Sequence, residues 1–471
     1  MTRLQSEFFD STDAFEAALD YLYSFINFEQ RQQDRYMSAK LDESRPKRFF
    51  DALGASYTKY PVIHIAGTKG KGSVAAMCAA CLRAAGYRVG LFTSPHLQDF
   101  RERIRILTPD DPNGLIPEGQ FVQIIEQIKK VEPNFPDVTW FEILTAVSFI
   151  HFARQAVDVA VIEVGLGGRL DSTNVVTPLV SVITSLSLDH TKFLGDTLTE
   201  IAFEKGGIIK EGIPVVSANQ DPEAMAELQR ISVERESPMT IVGKQWQFAV
   251  GEVDNGRSQE LIITESPDPD FIPQPSTYTL SLTGVHQLEN GAVAIAALQQ
   301  VRPYFPNITQ AVIQKGLAGV QWNGRLQTIH PGNDHTPMLL VDCAHNPDSA
   351  EKLAQALQTN YQYNNLWLII GAPKDKDIPG MMQHLAPLAY GITATTASHP
   401  RSATPEEIAG LGVDMGTESI PTRNMDEALR VTWGAASPGD LICVTGSIIV
   451  VGDLLNYWEL LQSQLLASKM A

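Results

Sequence analysis

The chain is short of cysteine, of positive charge and of long apolar runs, and each shortage excludes something. Four cysteines in 471 residues, Cys78, Cys81, Cys343 and Cys443, cannot build a disulfide scaffold. Cys78 and Cys81 form a C-x-x-C inside a helix candidate, so small buried thiols on neighbouring turns are favoured over a redox or metal pair. Lysine and arginine total 36 against 54 acidic residues, a formal charge of −18. That balance does not suit a general nucleic-acid or membrane-surface binder, although a local basic pocket for an anion stays open. No apolar stretch reaches the roughly 20 residues that span a bilayer. The opening MTRLQSEFFDSTDAFEAALDYL carries early acidic residues in place of a signal-peptide core. Neither a nucleic acid nor a membrane is expected as a partner, and cytoplasm is the expected location.

What the chain does have is length and rhythm. Its 471 residues exceed one ordinary domain, and a hydrophobic content of 44% supports a sizeable core. Residues 12–27 read as an amphipathic helix with Phe15, Leu19, Leu22 and Phe25 on one face, and 28–60 suggest no clear element. Strand candidates follow at 61–66, 88–93, 157–164 and 179–185, alternating with helix candidates at 72–85, 119–131, 141–155 and 197–210. Such alternation argues for a parallel sheet, and continuous apolar strands such as VDVAVIEV fit one covered on both faces. Residues 244–283 turn polar and strand-rich, and a helix is expected over 288–301. VQWNGRLQ, residues 320–327, looks like a joint. Beyond it come strands at 338–341, 366–370, 392–395 and 441–445. The prediction is two α/β domains. The first, over 1–322, has a mostly parallel sheet and a small strand-rich section near 244–283; the second covers 327–471.

HIAGTKGKGS, residues 64–73, sits between the first strand and the helix after it. Gly67, Gly70 and Gly72 let the backbone turn tightly and present N–H groups to an anion, and the following helix adds its positive end. Lys71 could reach outer phosphates, and Ser73 a phosphate or magnesium. The pattern departs from G-x-x-x-x-G-K-[ST], because Gly72 separates Lys71 from Ser73. A plain strand-to-helix turn is the bland alternative; two lysines among three glycines favour phosphate. Ser94, Glu163, Asp189 and His190 all follow strands, where ligands gather in a parallel sheet. Ser94, Glu163 and His190 together make a plausible magnesium set of hydroxyl, carboxylate and imidazole.

Lys205 lies in TLTEIAFEKGGIIK at a spacing of three and four from apolar neighbours, on the stripe that should face the core. A buried ammonium must be paired, lose its proton or be modified, and a neutral amine can take up carbon dioxide as a carbamate. Spacing alone favours the alternative, a lysine that snorkels to the surface. EVGLGGRLDSTN carries Arg169, Asp171 and Asn174; SPHLQDFRERIRI carries Arg101, Arg103 and Arg105. These arginines could anchor an acidic substrate or simply line a solvated strand. VDCAHNPDSA sets Asp342, His345 and Asn346 between a strand and a helix, while GAPKDKD and TGSIIVVG follow later strands.

HIAGTKGKGS, FTSPHL, FRERI, IEVGLGGRLDSTN, DHTKFLG, FEKGGIIK, GVHQLEN, NGRLQ, DCAHNPDS and TGSIIVVG occur in one order over roughly residues 60–455. Together they closely resemble the folylpolyglutamate synthases, including the bifunctional dihydrofolate synthase form, within the Mur ligase superfamily. The resemblance implies a P-loop-type ATP-binding central domain, a smaller Rossmann-like glutamate-ligase C-terminal domain, and catalysis in the cleft between them; a monomer is expected. ATP, L-glutamate and a folate or dihydropteroate would be the small-molecule substrates. Gly67, Thr68, Lys69, Gly70, Lys71, Gly72 and Ser73 would wrap the ATP phosphates, with Asn290, Arg325 and Asp342 on the nucleotide. Ser94, Glu163 and His190 would bind Mg2+, and Lys205, matching the family's carbamylated lysine, a second ion, which reverses the reading from spacing. Lys71, Lys205, His190 and His345 would be catalytic. Arg101, Phe141, Glu142, Arg169, His345 and Ser447 would meet the substrates. Lys69 stands where the family usually has Asn, and Cys343 where it usually has Gly, which puts the backbone freedom of that loop in question. The first sixty residues match poorly. A ligase for a UDP-muramyl precursor, and a nucleotide-binding regulator without catalysis, are the competing readings.

Overall fold

A computed structural model describes residues 3–25, 44–398 and 401–470. Residues 26 and 27 of the expected first helix lie outside that set; the helix itself runs Arg3–Tyr23. The stretch thought featureless holds a helix, Arg45–Ala52, begun by Pro46, whose fixed φ suits a first turn.

The first domain is organised on a seven-stranded sheet. Its strands are β1 (Val62–Ala66), β2 (Val89–Phe92), β3 (Ile104–Leu107), β4 (Val159–Glu163), β5 (Val180–Ile183), β6 (Val215–Ser217) and β7 (Met239–Ile241), in the order β3-β2-β4-β1-β5-β6-β7. All pairs are parallel except β2–β3. β1 and β4 are buried at every position, as continuous apolar runs covered on both faces require. β3 is a departure from the solvated, charge-alternating strand considered for RERIRI. Ile104, Ile106 and Leu107 are buried, and only the arginine between them is partly exposed.

The helices Lys71–Ala84, Val285–Val301 and Gln310–Ala318 pack together on one face. Gly316 allows the closest approach, since a Cβ there would meet the backbone of Cys81. All four cysteines are free and buried. Glu118–Ile128 and Trp140–Arg154 cover the other face. A separate antiparallel sheet, β8 (Gln247–Asp254), β9 (Ser258–Glu265) and β10 (Ser276–Leu280), packs against Val285–Val301.

The second domain holds β11 (Gln327–His330), β12 (Met338–Val341), β13 (Leu366–Ile370), β14 (Gly391–Ala394), β15 (Ser419–Pro421) and β16 (Leu441–Thr445). Their order is β11-β12-β16-β13-β14-β15, parallel apart from β11. The three-residue strands β6, β7 and β15 are too short to show a period, and β11, half-buried throughout, lacks an apolar run, so sequence reading passed over them. No helix among the described residues is long and apolar enough to cross a membrane.

Candidate active site

Strand β1 runs into the glycine loop. Gly67 has φ +150° and Gly70 φ +84°, the latter as the residue capping helix Lys71–Ala84. A side chain at Gly67 would strike Thr184 Oγ1, and one at Gly70 would strike Asn290 Oδ1. The loop is tied to the end of β5. Thr68 N and Lys69 N both donate to Ser185 O, at 2.9 and 3.1 Å, and Thr68 Oγ1 donates to Ser187 O at 3.2 Å. The helix starts at Lys71, one residue before the expected Gly72, so its first N–H groups belong to the loop and have no helical acceptor. These are the features of an anion cradle.

Two residues that sequence reading did not single out complete it. Trp322 lies against Gly72, where a Cβ would sit 2.7 Å from the indole ring. Gln287 Nε2 donates to Ser73 Oγ at 3.3 Å, and its Oε1 accepts from Asn290 Nδ2 at 2.9 Å. Ser73, expected to face an ion, is buried and engaged in this network. Trp322 was visible in VQWNGRLQ, but nothing in that string says which surface the ring covers.

Glu163 ends β4 and is 3% exposed. Ser94 N donates to its Oε2 at 3.2 Å, while Lys71 Nζ stands 3.9 Å from Oε1, too far for a hydrogen bond. Burial pushes the Glu163 carboxyl up against the pull of Lys71, Arg325 and Arg103. Lys205 is 4% exposed, and its Nζ donates to Gly67 O at 2.9 Å. It does not snorkel: the loop 163–174 closes over its helix, with Arg169 N bonded to Glu204 O and Gly168 pressed on the carbonyls of Glu204 and Lys205. Burial, aided by the charge of Lys71, brings the Lys205 amine down to about 7. Its helix has a Thr197–Glu200 capping box and ends at Gly206, short of residue 210, where two successive glycines break it.

His190 adopts φ +52° beside Asp189, with Nε2 4.0 Å from Asp189 Oδ1 and about half its side chain exposed. The charges of Lys376, Lys71 and Lys205 all reach its ring. Ser94 and Glu163 therefore touch, and Lys71 acts on both Glu163 and His190. Among the described residues no three His, Cys, Asp or Glu side chains form a metal cluster.

From the second domain, Asp342 follows β12 and accepts from Leu326 N and Ala344 N, both at 2.9 Å. Burial raises its carboxyl, and Arg325 opposes that. His345 Nδ1 lies 2.9 Å from Cys343 O, which fixes N–H there and leaves Nε2 an acceptor. Burial brings the ring down to about 4, so it is neutral at pH 7. Cys343 has a negative φ and needs none of glycine's freedom; its N–H donates to Gly324 O at 3.0 Å. Ser447 is buried and accepts from Val450 N at 3.1 Å, capping the last helix. Asn346 caps helix Pro347–Asn360 and accepts from Lys69 Nζ at 2.9 Å, so the two domains meet at the glycine loop.

The expected substrate residues divide. Phe141 packs on Gly165, just past Glu163, and borders the site. Arg169 pairs with Glu204 at 2.9 Å and lies over Phe203. Arg101 is held by Asp99 at 2.6 Å and Glu118 at 3.2 Å. Glu142, expected to meet a substrate, is engaged within the fold. It is 3% exposed, both its oxygens take Arg45, and Oε2 also accepts Thr139 N in a capping box. TWFE offered that signal, since Thr139 and Glu142 have capping-box spacing.

Comparisons with known proteins converge. The family described as Mur ligase middle domain matches residues 65–298, and Mur ligase, glutamate ligase domain, matches 324–448. A Bacillus subtilis dihydrofolate synthase/folylpolyglutamate synthase is 31% identical, covering 87% of this chain and 93% of its own. A Mycobacterium tuberculosis folylpolyglutamate synthase complexed with ADP superposes with TM-score 0.81 at 29% identity, covering 95% and 99% of the two chains. Escherichia coli FolC in complex with DHPP and ADP gives 0.79 at 26%, covering 96% and 98%.

Proposed function

The chain belongs to the dihydrofolate synthase/folylpolyglutamate synthase family of Mur ligases, and on that premise we propose that it adds L-glutamate to a folate at the expense of ATP. A carboxylate is a poor electrophile, being anionic with a poor leaving oxygen. Transfer of the ATP γ-phosphoryl group to it gives an acyl phosphate and ADP. The glutamate amine then attacks the acyl carbon, and phosphate leaves from a tetrahedral intermediate. The observation that carries this reading is Lys205, a buried amine fixed on the carbonyl of Gly67 inside a phosphate-type loop.

The side chains divide the work. Gly67 to Ser73 hold the phosphates through backbone N–H groups, and Lys71 offsets charge on the transferring phosphoryl group. Asn290 backs the loop at Gly70, and Arg325 and Asp342 meet the nucleotide from the joint. His345, neutral at pH 7, presents Nε2 as an acceptor that can hydrogen-bond and orient the incoming amine. Ser447 lies with it on the glutamate side. Closure of the domains excludes water, which would hydrolyse the acyl phosphate.

The donor set suits magnesium. Glu163 is a buried carboxylate whose Oε1 is too far from Lys71 for a hydrogen bond; Ser94 meets it through its N–H, and Ser94 and His190 would supply a hydroxyl and an imidazole. A cation held by Ser94, Glu163 and His190 would neutralise phosphate charge and polarise the phosphoryl group. With its amine near 7, about half of Lys205 is neutral at pH 7 and able to take up carbon dioxide; as a carbamate it would offer oxygens to a second ion.

The test is ADP and phosphate release from ATP and magnesium with L-glutamate and, in turn, tetrahydrofolate, dihydropteroate and a UDP-muramyl acceptor. Release that needs glutamate and a folate is expected, and turnover with dihydropteroate would add the second activity. Release with the UDP-muramyl acceptor alone assigns the chain to cell-wall chemistry. ATP turnover indifferent to every acceptor defeats the reading.

A further inference from the structure

The glycine loop touches the second domain through one side chain whose contacts go well beyond phosphate binding. Lys69 Nζ donates to Asn346 Oδ1 at 2.9 Å and stands 3.4 Å from Asp348 Oδ2, with the lysine side chain only 20% exposed. Both ends of this bridge are anchored. On the loop side, Lys69 N is bonded to Ser185 O at 3.1 Å. On the helix side, Asn346 Oδ1 also accepts from Ser349 N at 2.9 Å and from Ser349 Oγ at 2.7 Å. Ser349 Oγ in turn accepts the N–H of His345 at 3.0 Å and of Asn346 at 3.1 Å. A continuous run of hydrogen bonds thus leads from the phosphate loop to the backbone of His345.

A lysine does not belong at a helix N-terminus on general electrostatic grounds, since the dipole there repels cations. What draws it is the specific carboxylate of Asp348, which it shares with Lys352 at 3.3 Å. Asp189 attracts Lys69 from the other side.

We propose that Lys69 is a positioning residue that docks the phosphate loop on the first turn of helix Pro347–Asn360, and so sets His345 over the acyl phosphate. The proposal rests on the ligase reading. Reacting groups come from two domains, and a misplacement of about 1 Å between them costs about a hundredfold in rate. A lysine that only bound phosphate would not need Asp348.

The test compares the full chain with K69M, D348N, K352M, K69R and K69M/D348N. The readouts are kcat and KM for glutamate, and ADP affinity by calorimetry. D348N is expected to lower kcat/KM for glutamate by about tenfold, with ADP affinity within about twofold of wild type. K69M should match or exceed that loss, and the double variant should be no more than about twofold worse than K69M, because one contact is lost in each. K69R should recover part of the activity, and K352M, which removes the other partner of Asp348, should behave as wild type. The proposal is overturned by wild-type kinetics in D348N, by losses that multiply in the double variant, by a K352M defect equal to that of D348N, or by a K69M defect confined to ADP affinity. Folate- and glutamate-independent turnover in the wild type would sink the ligase reading itself, whereas an active wild type without coupling sinks only the docking role.

Discussion

Replacing Lys205 by methionine should make the protein more stable and inactive at once. The amine falls from 10.5 to about 7, mainly through burial. A shift of about 3.5 units corresponds to about 5 kcal/mol of penalty for carrying the charge in the fold. Below about pH 7 both states are protonated and the whole penalty stands. Between about 7 and 10.5 the unfolded chain keeps the proton and the folded chain does not, so wild-type stability rises with pH through that window. Methionine removes the penalty but leaves Gly67 O without its donor, a loss of about 1–3 kcal/mol. The net gain is about 2–4 kcal/mol at pH 7, and it should shrink by about 2–3 kcal/mol at pH 9 as the wild type recovers. Denaturant unfolding of both proteins at the two pH values, in buffer freed of carbon dioxide, measures it, with ligation assayed in parallel. Added 13C-bicarbonate should give a carbamate resonance in the wild type and none in Lys205→Met. A variant less stable than wild type at pH 7, a difference independent of pH, or retained ligation would refute the reasoning.

Glu142→Ala should destabilise by about 3 kcal/mol, because it strips Arg45 and Thr139 of a buried partner, while the KM for folate stays unchanged in the protein that remains folded. Thermal unfolding and steady-state kinetics check the two halves. Gly70→Ala forces a side chain onto Asn290 at a left-handed φ; ADP affinity by calorimetry should drop at least about tenfold, with a cost near 1 kcal/mol in stability from the backbone alone. Glu163→Gln keeps an acceptor for Ser94 N but removes the charge facing Lys71. Ligation should fall by at least about a hundredfold and higher magnesium should recover part of it by mass action, whereas an unchanged magnesium dependence would place the ion elsewhere.

The alternation of buried strands and helices was legible because a fully covered parallel sheet leaves nearly continuous apolar runs, as VDVAVIEV does. The glycine loop was legible because Gly67 and Gly70 occupy backbone conformations that other residues resist. The engagement of Glu142 with Thr139 was also open to view, since its capping-box spacing is local, whereas its ion pair with Arg45 was not. Lys205 shows the opposite case. Its spacing set it on the core-facing stripe of a helix, but burial depends on whether the loop 163–174 covers that stripe, and the loop is distant in sequence.

Local chemistry, then, was written in the order of residues: which strands are buried twice over, where the backbone must turn without a side chain, which helices are capped and where glycines end them. The partners were not. Trp322 over Gly72, Gln287 on Ser73 and Lys69 on Asn346 join segments more than two hundred residues apart, and no spacing along a chain encodes a meeting of that kind. Only the packing of the two sheets and their helices brings such groups within hydrogen-bond reach. It also sets how far water is excluded around Lys205, Glu163 and His345, and so which protons they hold.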